Sequence, residues 1–163
     1  MTPPEADLVA PRGALDFLDT RGMDLPRPMT ALEAWDLMMR EPLPGLRLAF
    51  RIRDAISSLF GVKRIGGFTG ARAAAPEVGD KLDFFLVERI APEILTLSAR
   101  DRHLETICCV TTHDRRLAIT SSVKTLNGFG RAYMIPVGPA HRLIVGAMLK
   151  RARRTLITEG AGR

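Results

Sequence analysis

The chain predicts an α+β domain: two N-terminal helices, then an antiparallel sheet, then one long C-terminal helix. Three observations carry this. Residues 31–59 hold two amphipathic segments bounded by prolines and glycines. Residues 82–126 change to period-two alternation rich in threonine and β-branched side chains, with short connections. From about Ala140 to Ile157 the apolar residues return to helical spacing.

Residues 1–12 read as a disordered leader, residues 13–158 as one domain and residues 159–163 as a flexible tail. Ala14–Asp19 is the first strand, stopped by Arg27-Pro28. Thr30 and Glu33 make a capping box for a helix over Ala31–Arg40, which carries Leu32, Trp35, Leu37, Met38 and Met39. A second helix spans Leu46–Leu59, with Leu48, Ile52, Ala55, Ile56 and Leu59 as its apolar set and Gly61 as its cap. Gly66–Asp80, with its glycines and Pro76, is a loop. It is not a dinucleotide-binding turn, because Ala73-Ala74-Ala75-Pro76 stops any helix opening on the glycines.

Strands follow at Leu82–Ile90, Glu93–Arg100, His103–His113 and Leu117–Leu126, with His113-Asp114-Arg115-Arg116 as a turn. The last strand is expected to run on through Gly130 to Ile135, bending at Gly128 and Gly130. Gly138 then caps the final helix, with Pro139 in its first position. Ile144, Val145, Met148, Ala152 and Leu156 form its buried stripe. A curved antiparallel sheet closed by one long helix is the helix-grip arrangement, and the space between them is a ready ligand cavity.

The 163 residues suit a single domain with its own core. The net charge of +6, from 24 Lys+Arg against 18 Asp+Glu, is nearly all arginine and suits an anionic partner. No aromatic residues interleave with the basic ones, so nucleic acid is not expected. Cys108 and Cys109 are adjacent, point to opposite faces of a strand and cannot bridge each other, which reads as a reducing, cytoplasmic setting. No secretory signal, membrane-spanning run, metal cluster or cofactor motif is present.

Seven residues are candidates for a ligand site. Asp101 and His103 share a strand face if the strand includes both, and would make an acid/base pair; the plainer expectation is a histidine tying down a turn. Arg131 and Tyr133 share a face of the last strand, Arg131 as a carboxylate or phosphate fork and Tyr133 as a phenol or a core aromatic. His141 lies in the first turn of the last helix, where the helix terminus disfavours its protonated form. Ile144 and Met148 would line the path of an apolar tail. Trp35 and the methionines are expected in the core.

Asp101-Arg102-His103-Leu104, Thr120 through Val123, Asn127-Gly128-Phe129-Gly130-Arg131-Ala132-Tyr133, Pro136, Pro139, His141-Arg142 and Met148-Leu149 together resemble the bacterial family catalogued as domain of unknown function 2867. The resemblance runs from about Leu15 to Ile157. It implies similarity to the START-type helix-grip superfamily, whose members bind lipids, polyketides or other apolar ligands and include some cyclases. The expected function is therefore binding of an apolar or amphipathic small molecule between sheet and C-terminal helix. The alternatives are an enzyme using His103 or His141 in that cavity, and a structural or interaction module without a ligand.

Overall fold

The structure, a computed structural model, describes residues 2–40, 43–59 and 75–161. Most of the predicted Gly66–Asp80 loop, the Gly61 cap and the side chains of Ile52, Ile56 and Leu59 lie outside the described residues.

The chain is α+β. After a 3-10 turn at Arg12–Ala14 come β1 (Phe17–Asp24), α1 (Ala31–Met39), α2 (Leu46–Leu59), β2 (Lys81–Leu82), β3 (Phe85–Ala91), β4 (Ile94–Arg100), β5 (Leu104–His113), β6 (Arg116–Thr125) and α3 (Gly128–Ala161). The six strands are antiparallel, in the order β1-β6-β5-β4-β3-β2. A meander thus runs from β2 to β6, and β1 returns to the free edge of β6. This matches a helix-grip-like arrangement of open sheet and long C-terminal helix.

Local chemistry explains the boundaries. Thr30 and Glu33 close the capping box: Glu33 N–H donates to Thr30 Oγ1 at 3.2 Å, and Thr30 N–H donates to Glu33 Oε2 at 2.7 Å. The predicted strand Leu82–Ile90 is split after Leu82, because Asp83 takes a left-handed conformation (φ 56°) and makes a tight hairpin turn. Asp114 does the same between β5 and β6. β1 runs past the expected Asp19 to Asp24, since its whole length finds partners along β6.

The largest correction concerns residues 128–139. They are helical, not an extension of β6, and α3 is one helix of 34 residues with Pro136 and Pro139 inside it. Asn127 starts it, its Oδ1 accepting Gly130 N–H at 3.0 Å. Each proline deprives the carbonyl four residues earlier of a partner. Those carbonyls belong to Ala132 and Ile135, which are exposed like the prolines, so water can serve them.

α1 and α3 pack on one sheet face. Leu95, Leu97, Val110 and Leu117 of the sheet meet Trp35 and Met38 of α1 and Val145, Leu149, Ala152 and Leu156 of α3. The other face is polar, with Thr96, Cys109, Thr120 and Ser122 nonetheless buried. The leader expected to be disordered lies against it. Asp7 accepts from Thr96 Oγ1 at 2.5 Å and pairs with Arg89 at 3.3 Å, its N–H meets Cys109 Sγ at 3.4 Å, and Val9 N–H donates to Ser122 Oγ at 3.0 Å.

Candidate functional site

A cavity of about 470 Å³ lies between the inner sheet face and the three helices. That is within the usual range for small-molecule sites, roughly 300–1,000 Å³. Its walls are mostly apolar: Phe17, Leu104, Ile119 and Val123 from the sheet, Phe84 and Phe85 at the β2–β3 corner, Trp35, Met38 and Met39 from α1, Leu46 and Phe50 from α2, and Met134, Val137, Ile144, Val145 and Met148 from α3. Trp35 stands edge-on to Phe85, ring centroids 5.9 Å apart. Trp35 is therefore both core and cavity wall, and four of the seven methionines (Met38, Met39, Met134 and Met148) face the same space.

Two polar stations interrupt this lining. In the first, His141 Nε2 lies 2.9 Å from Ser121 Oγ. Phe17 packs edge-on against the imidazole, with ring centroids 5.8 Å apart. Burial pushes the His141 pKa down, and Arg21 and Arg142 push the same way against the opposing pull of Asp19. The ring is thus neutral at pH 7, a donor at one nitrogen and an acceptor at the other. The cause is burial and not a helix terminus: His141 lies well inside α3, which begins at Gly128. The Ser121–His141 pair was not visible in the sequence, where 20 residues separate the two and nothing marks Ser121 among the strand hydroxyls.

In the second, Arg53 of α2 donates from Nε to Tyr133 Oη at 2.9 Å, and its Nη1 lies 2.8 Å from Asp54. The guanidinium also stands 5.7 Å from the centre of the Tyr133 ring. Lys81, Arg100, Asp101 and Thr106 complete the polar lining. Arg53 was not singled out from the sequence, since nothing in α2 distinguishes it from Arg47 or Arg51.

The seven predicted residues are distributed as follows. Tyr133, His141, Ile144, Met148 and Asp101 line the cavity; His103 and Arg131 do not. Asp101 is occupied: its Oδ1 accepts the backbone N–H groups of His103 at 2.7 Å and Leu104 at 3.0 Å. The carboxylate ties the β4–β5 turn and does not reach the imidazole, so Asp101 and His103 are not an acid/base pair. His103 is buried against Phe129 (ring centroids 4.6 Å apart), and its Nδ1 lies 2.9 Å from Asn127 Nδ2. Asn127 Nδ2 also donates to the Arg102 carbonyl, and Asn127 Oδ1 serves Gly130 N–H. His103 Nδ1 also lies 3.1 Å from Asn127 Oδ1, so the Asn127 amide holds the ring at that nitrogen in either tautomer. Asp101, His103, Asn127 and Gly130 therefore lock the β4–β5 turn to the start of α3. Arg131 is exposed beside Asp16, whose carboxyl is held low chiefly by the Thr125 N–H, with Lys124 and Arg131 adding to it.

The cysteines lie on opposite faces, as strand geometry requires. Cys108 lines the cavity and Cys109 meets the N-terminal segment. Burial pushes the Cys108 thiol up to about 12, so it is not a thiolate nucleophile at neutral pH. Among the described residues no group of three or more His, Cys, Asp or Glu is placed to hold a metal ion, and no helix is long and apolar enough to cross a membrane. No curated protein and no solved structure matches the chain. A family model described as "Protein of unknown function (DUF2867)" matches residues 12–148, and the chain belongs to that family.

Proposed function

We propose that this domain binds one apolar or amphipathic small molecule in the cavity between sheet and α3. The carrying observation is the cavity itself: about 470 Å³, walled by aromatic, aliphatic and methionine side chains, with only a few polar groups. Such a lining favours an apolar body, and isolated polar groups fix its orientation. Tyr133 with Arg53 suits a carboxylate or other acceptor group, and the neutral His141 with Ser121 suits a hydroxyl or carbonyl. We place the family beside the bacterial START-type helix-grip proteins, on the strength of the element order and the position of the cavity. Two unbridged adjacent cysteines support a reducing, cytoplasmic setting.

The enzymatic alternative narrows to His141, the histidine that faces the cavity. Its Ser121 partner gives it a hydroxyl to polarise, but the strand backbone around Ser121 is paired in the ladder to β1 and β5. An acyl transfer there would have to find its oxyanion donors elsewhere.

The test uses Trp35, the single tryptophan, as a built-in reporter. Long-chain fatty acids and the dye ANS are titrated while its fluorescence and the melting point are followed; occupancy should change the emission and raise the melting point. Ile144→Phe, which fills the cavity, should abolish the response. Tyr133→Phe and His141→Gln should weaken it with little loss of stability. No response from any probe, together with native mass spectrometry showing only the bare mass of the purified protein, would overturn the proposal.

A further inference from the structure

α3 has a second face, turned away from the cavity, that no other element covers among the described residues. Helical spacing places Ala132, Ile135, Pro136, Pro139, Leu143 and Ala147 on it, and all are exposed; Ile135 and Leu143 are 75% and 76% accessible. The same face continues through Lys150, Arg153 and Arg154, also exposed, to Ile157 at 58%. The stripe is apolar over its first half and cationic over its second, along about 38 Å of helix. Residues 128–158 contain no acidic side chain, whereas Arg131, Arg142, Lys150, Arg151, Arg153 and Arg154 are all basic. The helix's one acid, Glu159, is engaged by Arg40 at 3.2 Å.

We propose that this outward face of α3 docks the domain on an anionic lipid bilayer. Large aliphatic side chains left in water in line with a cation cluster are what an interfacial helix needs, with apolar groups at the headgroup boundary and cations against lipid phosphates. The charge distribution selects this occupant over a second copy of the chain. Pairing two stripes antiparallel would set Lys150 and Arg154 of one copy against the apolar half of the other, and pairing them parallel would bring like charges together. Lys150, Arg153 and Arg154 take part in none of the ion pairs found among the described residues, so they are available to headgroups. Arg142 and Arg131 serve other ends: Arg142 stacks over Phe17 at 5.1 Å and lies 3.5 Å from Asp19, while Arg131 neighbours Asp16.

Sedimentation of the full chain with vesicles tests this. Vesicles of phosphatidylcholine alone are compared with vesicles also containing phosphatidylglycerol, at low and high salt. The protein should sediment with the anionic vesicles at low salt and be released by salt. Replacing Lys150, Arg153 and Arg154 together by Glu should lower the partition coefficient by about a hundredfold or more, given roughly fivefold per cation. Leu143→Ser should lower it severalfold with the salt dependence retained. Circular dichroism of each variant confirms that the fold is kept, which surface positions make straightforward. Equal binding to neutral vesicles, no binding to anionic ones, or binding unchanged in both variants would overturn the proposal. So would light scattering that shows a dimer lost in Leu143→Ser, since the face would then belong to a second copy.

Discussion

Four glycines of α3 differ in what a methyl group would meet, and this turns the position of the helix into a graded stability series. At Gly130 a Cβ would overlap the backbone carbonyl oxygen of His103, which also accepts the Leu126 N–H at 2.7 Å. Backbone atoms on both sides cannot step aside like a side chain, so Gly130→Ala must lift the first turn of α3 off the β4–β5 turn. Overpacking costs about 1–3 kcal/mol, and disturbing the Asn127 cap adds about 1 kcal/mol. At Gly138 the new atom would sit 3.2–3.3 Å from the Phe17 ring, which can yield by a few tenths of an ångström. The gain in helix propensity then roughly offsets the strain, and Gly138→Ala should fall within about 1 kcal/mol of the parent. At Gly146 the nearest atom is Arg21 Nη1 at 3.6 Å, an ordinary contact, so Gly146→Ala should stabilise by about 0.5–1 kcal/mol. Gly128→Ala meets only Arg131 Nη2 at 3.8 Å and should be near neutral. Urea denaturation followed by Trp35 fluorescence gives the four midpoints. A Gly130→Ala midpoint equal to that of the parent would refute both the close approach and the start of α3 at Gly128.

Three further outcomes follow from particular contacts. The folded-state pKa of His141 lies below its unfolded value of 6.5, so the unfolded chain binds the proton first as pH falls. Its contribution is present in full above pH 6.5 and is lost as pH falls towards the folded pKa, so urea midpoints measured between about pH 8 and pH 5 should decline on the acid side, and His141→Gln should flatten that slope. Asp101→Ala frees two backbone N–H groups and should cost about 1–2 kcal/mol, with the Trp35 ligand response preserved; loss of the response at unchanged stability would make Asp101 a ligand contact instead. Asp7→Ala removes the partner of Thr96 and Arg89 and should destabilise by about 1–2 kcal/mol, which an unchanged denaturation midpoint would contradict.

The parts of the fold legible in the sequence are those governed by local chemistry. Thr30 and Glu33 announce α1 because a capping box is complete within four residues. β4, β5 and β6 are legible because a two-sided sheet imposes period two on Thr, Ile and Val, and Asp114 marks their hairpin. The misses need partners from afar. Asp7 finds Thr96 across 89 residues, so a Pro- and acid-bearing leader reads as disordered until β4 is in place. His103 acquires its role from Asn127, 24 residues on, and Ser121 acquires its own from His141. The start of α3 was obscured by Gly128, Gly130, Pro136 and Pro139, four residues that ordinarily argue against a helix. Asn127, three residues before the N–H it caps, was the available signal.

That one reassignment also decides which candidates share the site. On a strand, residues two apart lie on one face, which joined Arg131 to Tyr133. On a helix, residues two apart diverge by about 200°. Arg131 therefore turns out towards Asp16, while Tyr133, Val137, His141, Ile144 and Met148, spaced by three or four, align along the cavity. Tyr133 and His141 were expected together because a strand end meets a helix start. They are together because they are two turns apart on one helix, and that geometry is the more rigid of the two. It holds the Arg53 station and the Ser121 station at a fixed separation of eight residues, about 12 Å along the axis. A ligand that engages both must span that distance with its polar groups at its ends, whereas one that engages a single station leaves the other pair bonded to itself. Tyr133→Phe and His141→Gln distinguish the two cases: for a spanning ligand each weakens binding and the double variant compounds the loss, while for a ligand held at one end only one of them matters.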